Sequence, residues 1–182
     1  MGAASTYDAI LDAAEVVVRR DGTAGLTLEA VAAEAGVSKG GLLYHFKSKD
    51  ALVAGMVARM NRQFAAAYEA GAALDADLPG ARTRAYLRAM VGEERPPEKN
   101  LTGSALLAAI ALAPSLIDPL REQYAQWRDD VAHDDISPED AAIVMLAADG
   151  LWMADVLGFA PPTGEARRRI LERLLELAGR RR

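Results

Sequence analysis

Apolar residues recur at helical spacing along almost the whole chain, and no stretch alternates between apolar and polar residues as a half-buried β-strand does. In the first part of the chain these stretches are separated by Gly, Ser and Thr, the residues that end and begin helices. The pattern predicts a helix that Gly22 ends, two short helices and one long helix, over about residues 7–21, 27–36, 38–46 and 49–70.

Beyond this point Pro and Gly separate longer apolar stretches. Residues 101–112 are apolar on most sides, and residues 92–100, GEERPPEKN, predict an exposed loop. Further helices are expected to begin after Leu78-Pro79-Gly80, at Pro114, at Ser137-Pro138 and at Gly164. The sequence therefore predicts an all-α protein with about nine helices.

Composition narrows the class of protein. A length of 182 residues allows one compact unit or a small domain joined to a larger one, and a hydrophobic share of 51% excludes a disordered chain. No apolar run reaches the roughly 18 to 20 residues that span a bilayer. The first residues, MGAASTYDAILDAAE, contain acids where a signal peptide has a basic segment. We therefore expect a cytoplasmic protein with no membrane partner.

The chain lacks several residue patterns on which catalysis depends. It has no Cys and only two His, His45 and His133, which excludes disulfides and thiolate nucleophiles and argues against a multi-His metal centre. A Glu-x-x-His ligand pattern and a phosphate-binding Gly loop are both missing from the sequence. We therefore expect no enzyme, no metal and no cofactor, and a helical enzyme is kept only as a weaker hypothesis.

Charge is distributed unevenly along the chain. The net charge of −5 by itself argues against nucleic acid as a partner. Between residues 37 and 49, however, Lys39, His45, Lys47 and Lys49 stand without a single acid, whereas the residues before them carry many acids. A local basic patch on an acidic protein indicates one edge that faces DNA.

Residues 27–52, TLEAVAAEAGVSKGGLLYHFKSKDAL, place a capped helix, a tight Gly turn and a second capped helix within about 20 residues, which is helix-turn-helix spacing. The order of features resembles the tetracycline-repressor (TetR) family: a Thr that opens the first helix, a Gly-Val-Ser turn, a recognition helix with glycines, an aromatic-His-Phe ending, and a Lys before an apolar helix. An ordinary helical hairpin would leave the paired glycines of the second helix unexplained.

The resemblance is close over roughly the first 55 residues and architectural afterwards. It implies a three-helix DNA-binding domain over residues 1–48 and a helical domain over 49–182 that binds an effector and dimerises. The long helix that starts near residue 49 is expected to belong partly to both sides of this boundary.

The helix from Ser38 to Phe46 is expected to enter a major groove about 12 Å wide, with few side chains on its front. Hydroxyls at helix N-termini favour a phosphate, and lysines reach a guanine edge or a phosphate. The predicted DNA-binding residues are Thr27, Ser38, Lys39, Gly40, Gly41, Leu43, Tyr44, His45 and Lys49. Leu43 stands where most family members carry a Tyr, so either Tyr44 makes that contact or Leu43 packs against a thymine methyl.

Residues 141–156, AAIVMLAADGLWMADV, predict a helix that is apolar almost all the way round and needs a second surface to cover it. With the closing helix it can form a four-helix interface between two copies, as the corresponding helices do in the TetR family. The alternative is that both helices are central in the core of a monomer. The predicted interface residues are Ile143, Ala147, Gly150, Leu151, Ala154, Leu171, Leu174 and Leu175.

The resemblance also implies a ligand pocket inside the larger domain, among the long fourth helix and the helices that follow. The predicted lining residues are Met60, Phe64, Tyr86, Met90, Tyr124, Trp127, Met145, Asp149 and Trp152, a set that favours an apolar ligand. Met and aromatic residues at helical spacing are also typical of a plain core. Asp149 either pairs with a cationic compound or satisfies a helix end.

Together these features predict a bacterial ligand-responsive transcription regulator. Its main form is a repressor that binds a palindromic operator as a homodimer and is released by a small apolar or amphipathic effector. The alternatives are an activator of the same family and a regulator without small-molecule input. A scaffold or lipid carrier would fit the second domain but would leave the first domain without a role.

Overall fold

The computed structural model describes residues 5–91, 103, 108–110 and 112–179, and every regular element among them is helical, so the all-α prediction is confirmed. The helices are α1 (Thr6–Gly25), α2 (Leu28–Glu34), α3 (Lys39–His45), α4 (Lys49–Leu74), α5 (Ala81–Val91), α6 (Asp118–Ala132), α7 (Pro138–Leu157) and α8 (Gly164–Leu177). Residues 103, 108–110 and 112 are also helical. The predicted loop over 92–100 and much of the apolar segment 101–112 lie outside the described residues.

Hydroxyl side chains cap the two short helices that they are predicted to open. The Thr27 hydroxyl accepts the Ala30 N–H at 3.1 Å, and the Ser38 hydroxyl accepts the Gly41 N–H at 3.0 Å. Such caps satisfy backbone donors that have no partner inside the helix. The predicted starts of α2 and α3 are therefore confirmed.

The end of the first helix differs in detail from the prediction. α1 continues to Gly25, but the backbone leaves the helical region at Gly22, where φ is 72°. Glycine adopts this left-handed conformation without the steric cost that a Cβ would bring. The predicted stop at Gly22 is therefore present as a break inside a longer helix.

Two later boundaries also differ from the predicted ones. α4 continues past residue 70 to Leu74, and the added turn contains Gly71, which lies so close to α5 that a Cβ there would be 3.2 Å from the Ala85 Cβ. This close packing supports the extra turn. The helix predicted to start at Pro114 opens instead with a short 3-10 turn, Pro114–Ile117, and α6 begins at Asp118.

The described residues form two compact units, one within residues 1–61 and 101–120 and the other within 62–100 and 121–182. The boundary at residue 48 stays a prediction, since the two units divide inside α4. The long helix contributes residues to both units, as expected, and α6 does so too. No described helix combines the length and the apolar character that crossing a membrane requires.

The first unit is built around the inner face of α1. That face packs with α2, α3 and the first half of α4 into one apolar cluster, whose buried members include Ile10, Leu11, Ala14, Val17, Leu26, Val31, Leu42, Phe46, Leu52, Val53, Met56 and Met60. One buried ion pair also joins α1 to α4. Arg59 donates to Glu15 at 2.5 Å and to Asp12 at 2.7 Å. This pair ties the helix shared by both units to the N-terminal helix.

In the second unit α7 packs against α5 and α8. The buried Arg84 fixes three chain segments by donating to the Asp75 carboxylate at 2.8 Å, to the Pro79 carbonyl at 2.7 Å and to the Ala178 carbonyl at 3.1 Å. The end of α4, the start of α5 and the end of α8 are therefore held at one point. The interior of this unit is rich in aromatic side chains, including Phe64, Tyr68, Tyr86 and Trp127.

Candidate functional site

The two helices of the predicted DNA-binding motif are joined by a tight turn. α2 ends at Glu34, Gly36 takes a φ of 65°, and α3 starts directly after Ser38. A non-glycine residue at position 36 would be strained in this conformation. Leu42 and Phe46 are buried on the inner side of α3, so the helix is anchored by one face and presents the other.

The presented face of α3 holds the residues predicted to contact DNA. Ser38, Lys39, Gly40 and Tyr44 are exposed, with 77% of Tyr44 accessible, and Thr27 is exposed at the start of α2. The remaining predicted contact residues are half-buried: Gly41, Leu43, His45 and Lys49. The structure therefore leaves every predicted contact residue of the motif at least partly accessible.

The packing of the protein itself does not require a glycine at position 40. A Cβ there would meet only the Ser38 hydroxyl, at 3.9 Å, which is ordinary van der Waals distance. At Gly41 a Cβ would lie 3.3 Å from the same hydroxyl, a tighter contact. A glycine inside a helix costs up to about 1 kcal/mol relative to alanine, and the packing of the described residues gives no reason for that cost at position 40.

Two residues that the sequence analysis missed contact this surface. Glu29 pairs with Lys39, with 2.6 Å between Oε1 and Nζ, and this hydrogen bond holds the pKa of Glu29 below its usual range. Tyr7 meets the ring of His45 edge-on at 6.2 Å and packs against Phe46 at 4.8 Å. The sequence alone does not predict either contact, because Glu29 comes from α2 and Tyr7 from α1. Tyr7 limits the orientations open to His45.

A second cluster of functional side chains lies in the second unit, around Asp149. Tyr86 donates its hydroxyl to one carboxylate oxygen of Asp149 at 2.7 Å, and Tyr124 donates to the other oxygen. These three residues come from α5, α6 and α7, and all three are in the predicted ligand set. Asp149 lies inside α7 (Pro138–Leu157), so it does not cap an end of its own helix, and its carboxylate accepts hydrogen bonds from the two phenols.

Burial raises the pKa of both phenols in this cluster, and the Asp149 carboxylate acts in the same direction. The pKa of Tyr124 rises to about 12, and that of Tyr86, which is fully buried, rises further. Both hydroxyls therefore stay protonated at neutral pH and donate to the carboxylate. No Lys or Arg forms an ion pair with Asp149 in the part of the chain that the structure describes.

Aromatic rings surround the buried side of the triad formed by Tyr86, Tyr124 and Asp149. Phe64 lies 4.3 Å from Trp127 and 5.3 Å from Tyr86, measured between ring centroids. Tyr68, which the sequence analysis missed, stacks 6.4 Å from Phe64 and carries the Arg82 guanidinium over its ring at 5.4 Å. The cluster therefore offers ring faces and edges beside a carboxylate.

The other predicted ligand residues have different surroundings. Met60 packs in the apolar cluster of the first unit, Met145 is buried in the second, and Met90 is half-buried. Trp152 is half-buried, one turn beyond Asp149 on α7, and its indole nitrogen is buried without an acceptor among the described residues. Among those residues, no group of three or more His, Cys, Asp or Glu is placed to hold a metal ion.

The predicted interface residues divide into exposed and buried positions. Ile143 and Gly150 are exposed, whereas Leu151 and Leu174 are buried within the protomer itself, and four are half-buried: Ala147, Ala154, Leu171 and Leu175. Ile170, which the sequence also placed on the closing helix of the predicted interface, is exposed. The sequence analysis missed four further large apolar residues that the structure leaves exposed on or beside this face: Leu146, Met153, Leu157 and Phe159. Helical spacing alone does not tell which side of an apolar helix its own unit covers.

Comparison with known proteins gives the family. Residues 10–56 match the family of bacterial regulatory proteins called the tetR family, and residues 80–179 match the tetracyclin repressor-like C-terminal domain. No curated protein sequence matches the chain. The first matched segment contains the helix-turn-helix, and the second contains Tyr86, Tyr124 and Asp149.

Solved structures agree with these matches. The multidrug binding protein EbrR complexed with malachite green is 32% identical, with 92% of this chain and 96% of that chain covered and a TM-score of 0.63. A TetR-family member from Streptomyces coelicolor A3 is 30% identical over 94% of this chain and 98% of that chain, with a TM-score of 0.64. A transcriptional regulator from Rhodococcus sp., 24% identical over 96% and 98% of the two chains, shares the fold with a TM-score of 0.70.

These regulators are DNA-binding transcription factors and not enzymes, in agreement with the prediction from the sequence. The family predicted from residues 27–52 is confirmed, because the matched segments cover most of the chain. The chain belongs to the tetR family of bacterial regulatory proteins.

Proposed function

We propose that this chain is a ligand-responsive repressor that binds a palindromic operator as a homodimer and leaves it when a small apolar or amphipathic molecule binds. The observation that carries the proposal is the presented face of α3. Lys39, Gly40 and Tyr44 are exposed there, while Leu42 and Phe46 hold the helix to its unit. A rigid helix with an open front is what major-groove recognition requires.

In this proposal the residues of the motif have separate roles. Thr27 and Ser38, at the starts of α2 and α3, lie where free backbone N–H groups and the helix dipole favour a phosphate. Lys39 exchanges its partner Glu29 for a guanine edge or a phosphate. Such an exchange is favourable because an exposed ion pair contributes little stability. Tyr44 donates its hydroxyl to the DNA backbone.

The exposed apolar side of α7 supports the homodimer. Ile143, Leu146 and Met153 leave half or more of their surface accessible, and a Cβ at Gly150 would meet nothing within 4 Å. An apolar face of this kind needs a partner surface, and a second copy supplies an identical one through two-fold symmetry. The same symmetry would present two α3 helices to successive major grooves, about 34–36 Å apart.

The effector site in this proposal is the aromatic cluster around Asp149. EbrR has been solved with imidazole, malachite green and ethidium, and it is 28–32% identical to this chain in those structures. We infer that the second unit of this chain also takes a small molecule with aromatic rings. Phe64, Tyr86 and Trp127 would contact its rings, since offset and edge-on ring pairs are favourable.

Two helices offer a route from the effector site to DNA. α4 and α6 each contribute residues to both compact units, so a shift of either helix in the second unit is felt in the first by covalent continuity. The effector acts by binding one of two conformations more tightly, and DNA by binding the other. The two ligands therefore compete without sharing a site.

A mobility-shift assay tests the DNA-binding part of this proposal. The DNA directly upstream of the chain's own gene is titrated with wild type, Lys39→Ala and Tyr44→Ala at several salt concentrations. Arg62→Ala, which removes an exposed positive charge from α4, is the matched control. We expect wild type and the control to bind alike, and both motif variants to bind at least about tenfold more weakly.

The outcomes separate the alternatives. If the protein binds no fragment more tightly than random DNA, operator binding is refuted. If the complex forms, adding candidate molecules tests the effector part of the proposal. Release indicates a repressor with an inducer, tighter binding indicates a different mode of regulation, and no response to any molecule favours a regulator without small-molecule input.

A further inference from the structure

Among the described residues, no Lys or Arg forms an ion pair with the carboxylate of the triad around Asp149. Both carboxylate oxygens accept a phenol, from Tyr86 and from Tyr124, and a phenol supplies a dipole but no charge. Asp155 on the same helix, by contrast, pairs with Arg167 at 2.8 Å. Of these two half-buried acids of α7, Asp149 is therefore the one without a counter-ion in the described part of the chain.

The position of the triad matters as much as its charge. Tyr86 and Trp127 are buried, while Asp149, Tyr124 and Trp152 are half-buried, so the carboxylate lies where the aromatic cluster reaches accessible surface. A molecule that covers this place removes water from the carboxylate. Removing water from an unpaired charge is costly unless the incoming group replaces the lost solvation.

The size of this cost depends on the charge of the ligand. An anion would add repulsion to the loss of solvation, and a neutral ring system would leave the carboxylate covered and unpaired. A cation compensates the charge and is also attracted by the faces of neighbouring rings. Several rings lie within reach of the triad through Phe64, Tyr86 and Trp127.

We propose that Asp149, with the rings around it, forms a binding site for an aromatic cation and reads the positive charge of the effector. When the cation binds, the half-buried Tyr124 gives up its hydrogen bond to Asp149. The fully buried Tyr86 keeps its hydrogen bond and holds the carboxylate in place. This assignment rests on the proposed function and adds to it the charge of the ligand and the residue that recognises that charge.

The competing explanation is that Asp149 only holds two phenols in position. In that case replacing it changes stability but not the preference for charge. A pair of dyes separates the two explanations: crystal violet, a cation with three rings, and its leuco form, which has the same three rings and no charge at neutral pH. Isothermal titration calorimetry of the purified full chain measures the affinity for each dye.

We expect wild type to bind crystal violet at least about tenfold more tightly than the leuco form. Asp149→Asn keeps the size of the side chain and removes its charge, and it is expected to lose about tenfold in affinity for crystal violet while its affinity for the leuco form stays within about threefold. Asp155→Asn, the matched control on α7, is expected to keep the wild-type preference. Circular dichroism and thermal unfolding check that each variant is folded.

If Asp149→Asn does not fold, Tyr124→Phe replaces it in the test. This variant keeps the ring and the carboxylate and removes the hydroxyl that competes with the cation, so crystal violet is expected to bind as tightly as to wild type or more tightly. A loss of preference for the cation in Tyr124→Phe would overturn the assignment, because the charge would then not be what is read.

Three further results would overturn the assignment: equal affinity of wild type for the two dyes, no binding of crystal violet, and an Asp149→Asn variant that still prefers the cation. Operator release is measured separately, by mobility shift. If crystal violet binds in an Asp149-dependent way but does not release the operator, the effector role in the proposed function is refuted and the cation site stands. If uncharged molecules release the operator and the chain shows no preference for charge, the cation site is refuted and the effector role stands.

Discussion

Replacing Gly40 by Ala is expected to stabilise the protein and to impair DNA binding. A Cβ at this position meets only the Ser38 hydroxyl at 3.9 Å, so the folded chain accommodates it without adjustment. Alanine favours a helix over glycine by up to about 1 kcal/mol. For a chain of this length that gain raises the midpoint of thermal unfolding by about 2–4 °C, which differential scanning calorimetry resolves.

The same methyl group projects from the exposed side of α3. If this helix approaches the DNA closely at Gly40, the methyl forces it outward, and operator affinity is expected to fall at least about tenfold, or 1.4 kcal/mol. Fluorescence anisotropy with labelled operator measures this loss. Opposite effects on folding and on binding are the signature of a glycine kept for its partner and not for its own fold.

Gly41→Ala is the control variant for Gly40→Ala. There the Cβ comes within 3.3 Å of the Ser38 hydroxyl that caps α3, so the cap has to shift and most of the gain in helix propensity is expected to disappear. A stabilised Gly40→Ala variant with wild-type operator affinity would refute the close-approach argument. A destabilised Gly40→Ala variant would show that the folded chain does not accommodate the added methyl group.

Three further predictions concern a cap, an ion pair and the exposed face of α7. Ser38→Ala removes the hydroxyl that starts α3 and is expected to lower the free energy of unfolding by about 1 kcal/mol in a urea titration, so an unchanged midpoint would contradict the role of the cap. Asp75→Asn leaves the buried Arg84 without its carboxylate and is expected to cost about 1.5–3 kcal/mol at neutral pH. Arg84 holds the pKa of Asp75 below its usual 3.8, so this stabilisation is present above pH 3.8 and is lost as the pH falls through the lowered pKa. A difference in the free energy of unfolding between Asp75→Asn and wild type that persists below the lowered pKa would contradict this prediction. Leu146→Asp places a charge on the exposed α7 face and is expected to convert a dimer into monomers in sedimentation equilibrium and to weaken operator binding, whereas Leu74→Asp, at a still more exposed leucine, leaves both unchanged; a Leu146→Asp dimer of wild-type stability would argue against this interface.

The DNA-binding motif could be predicted because its signals are local. The cap at Thr27, the turn at Gly36 and the cap at Ser38 each depend on hydrogen bonds and dihedral angles within a few residues, and the structure has all three where the sequence predicts them. The contacts that Tyr7 and Glu29 make with α3 could not be predicted in the same way. Both residues lie on other helices, and only packing decides which side chains meet.

The sequence also does not predict which of the ligand candidates come together. The sequence distinguishes aromatic and Met residues only by type and spacing. These do not separate Met60, which packs in the core of the first unit, from Tyr86 and Tyr124, which donate hydrogen bonds to Asp149. The same holds for the apolar α7, where burial of Leu151 and exposure of Leu146 follow from which side meets α5 and α8.

The sequence by itself determined the helical class, the positions of most helices, the helix-turn-helix and the family, because periodicity, caps and turns act over short distances along the chain. Only the tertiary structure decided that Asp149 meets two phenols, because Tyr86 stands 63 positions before it and Tyr124 stands 25 positions before it. Such contacts depend on how whole helices pack, and packing is set by all the side chains of an interface together.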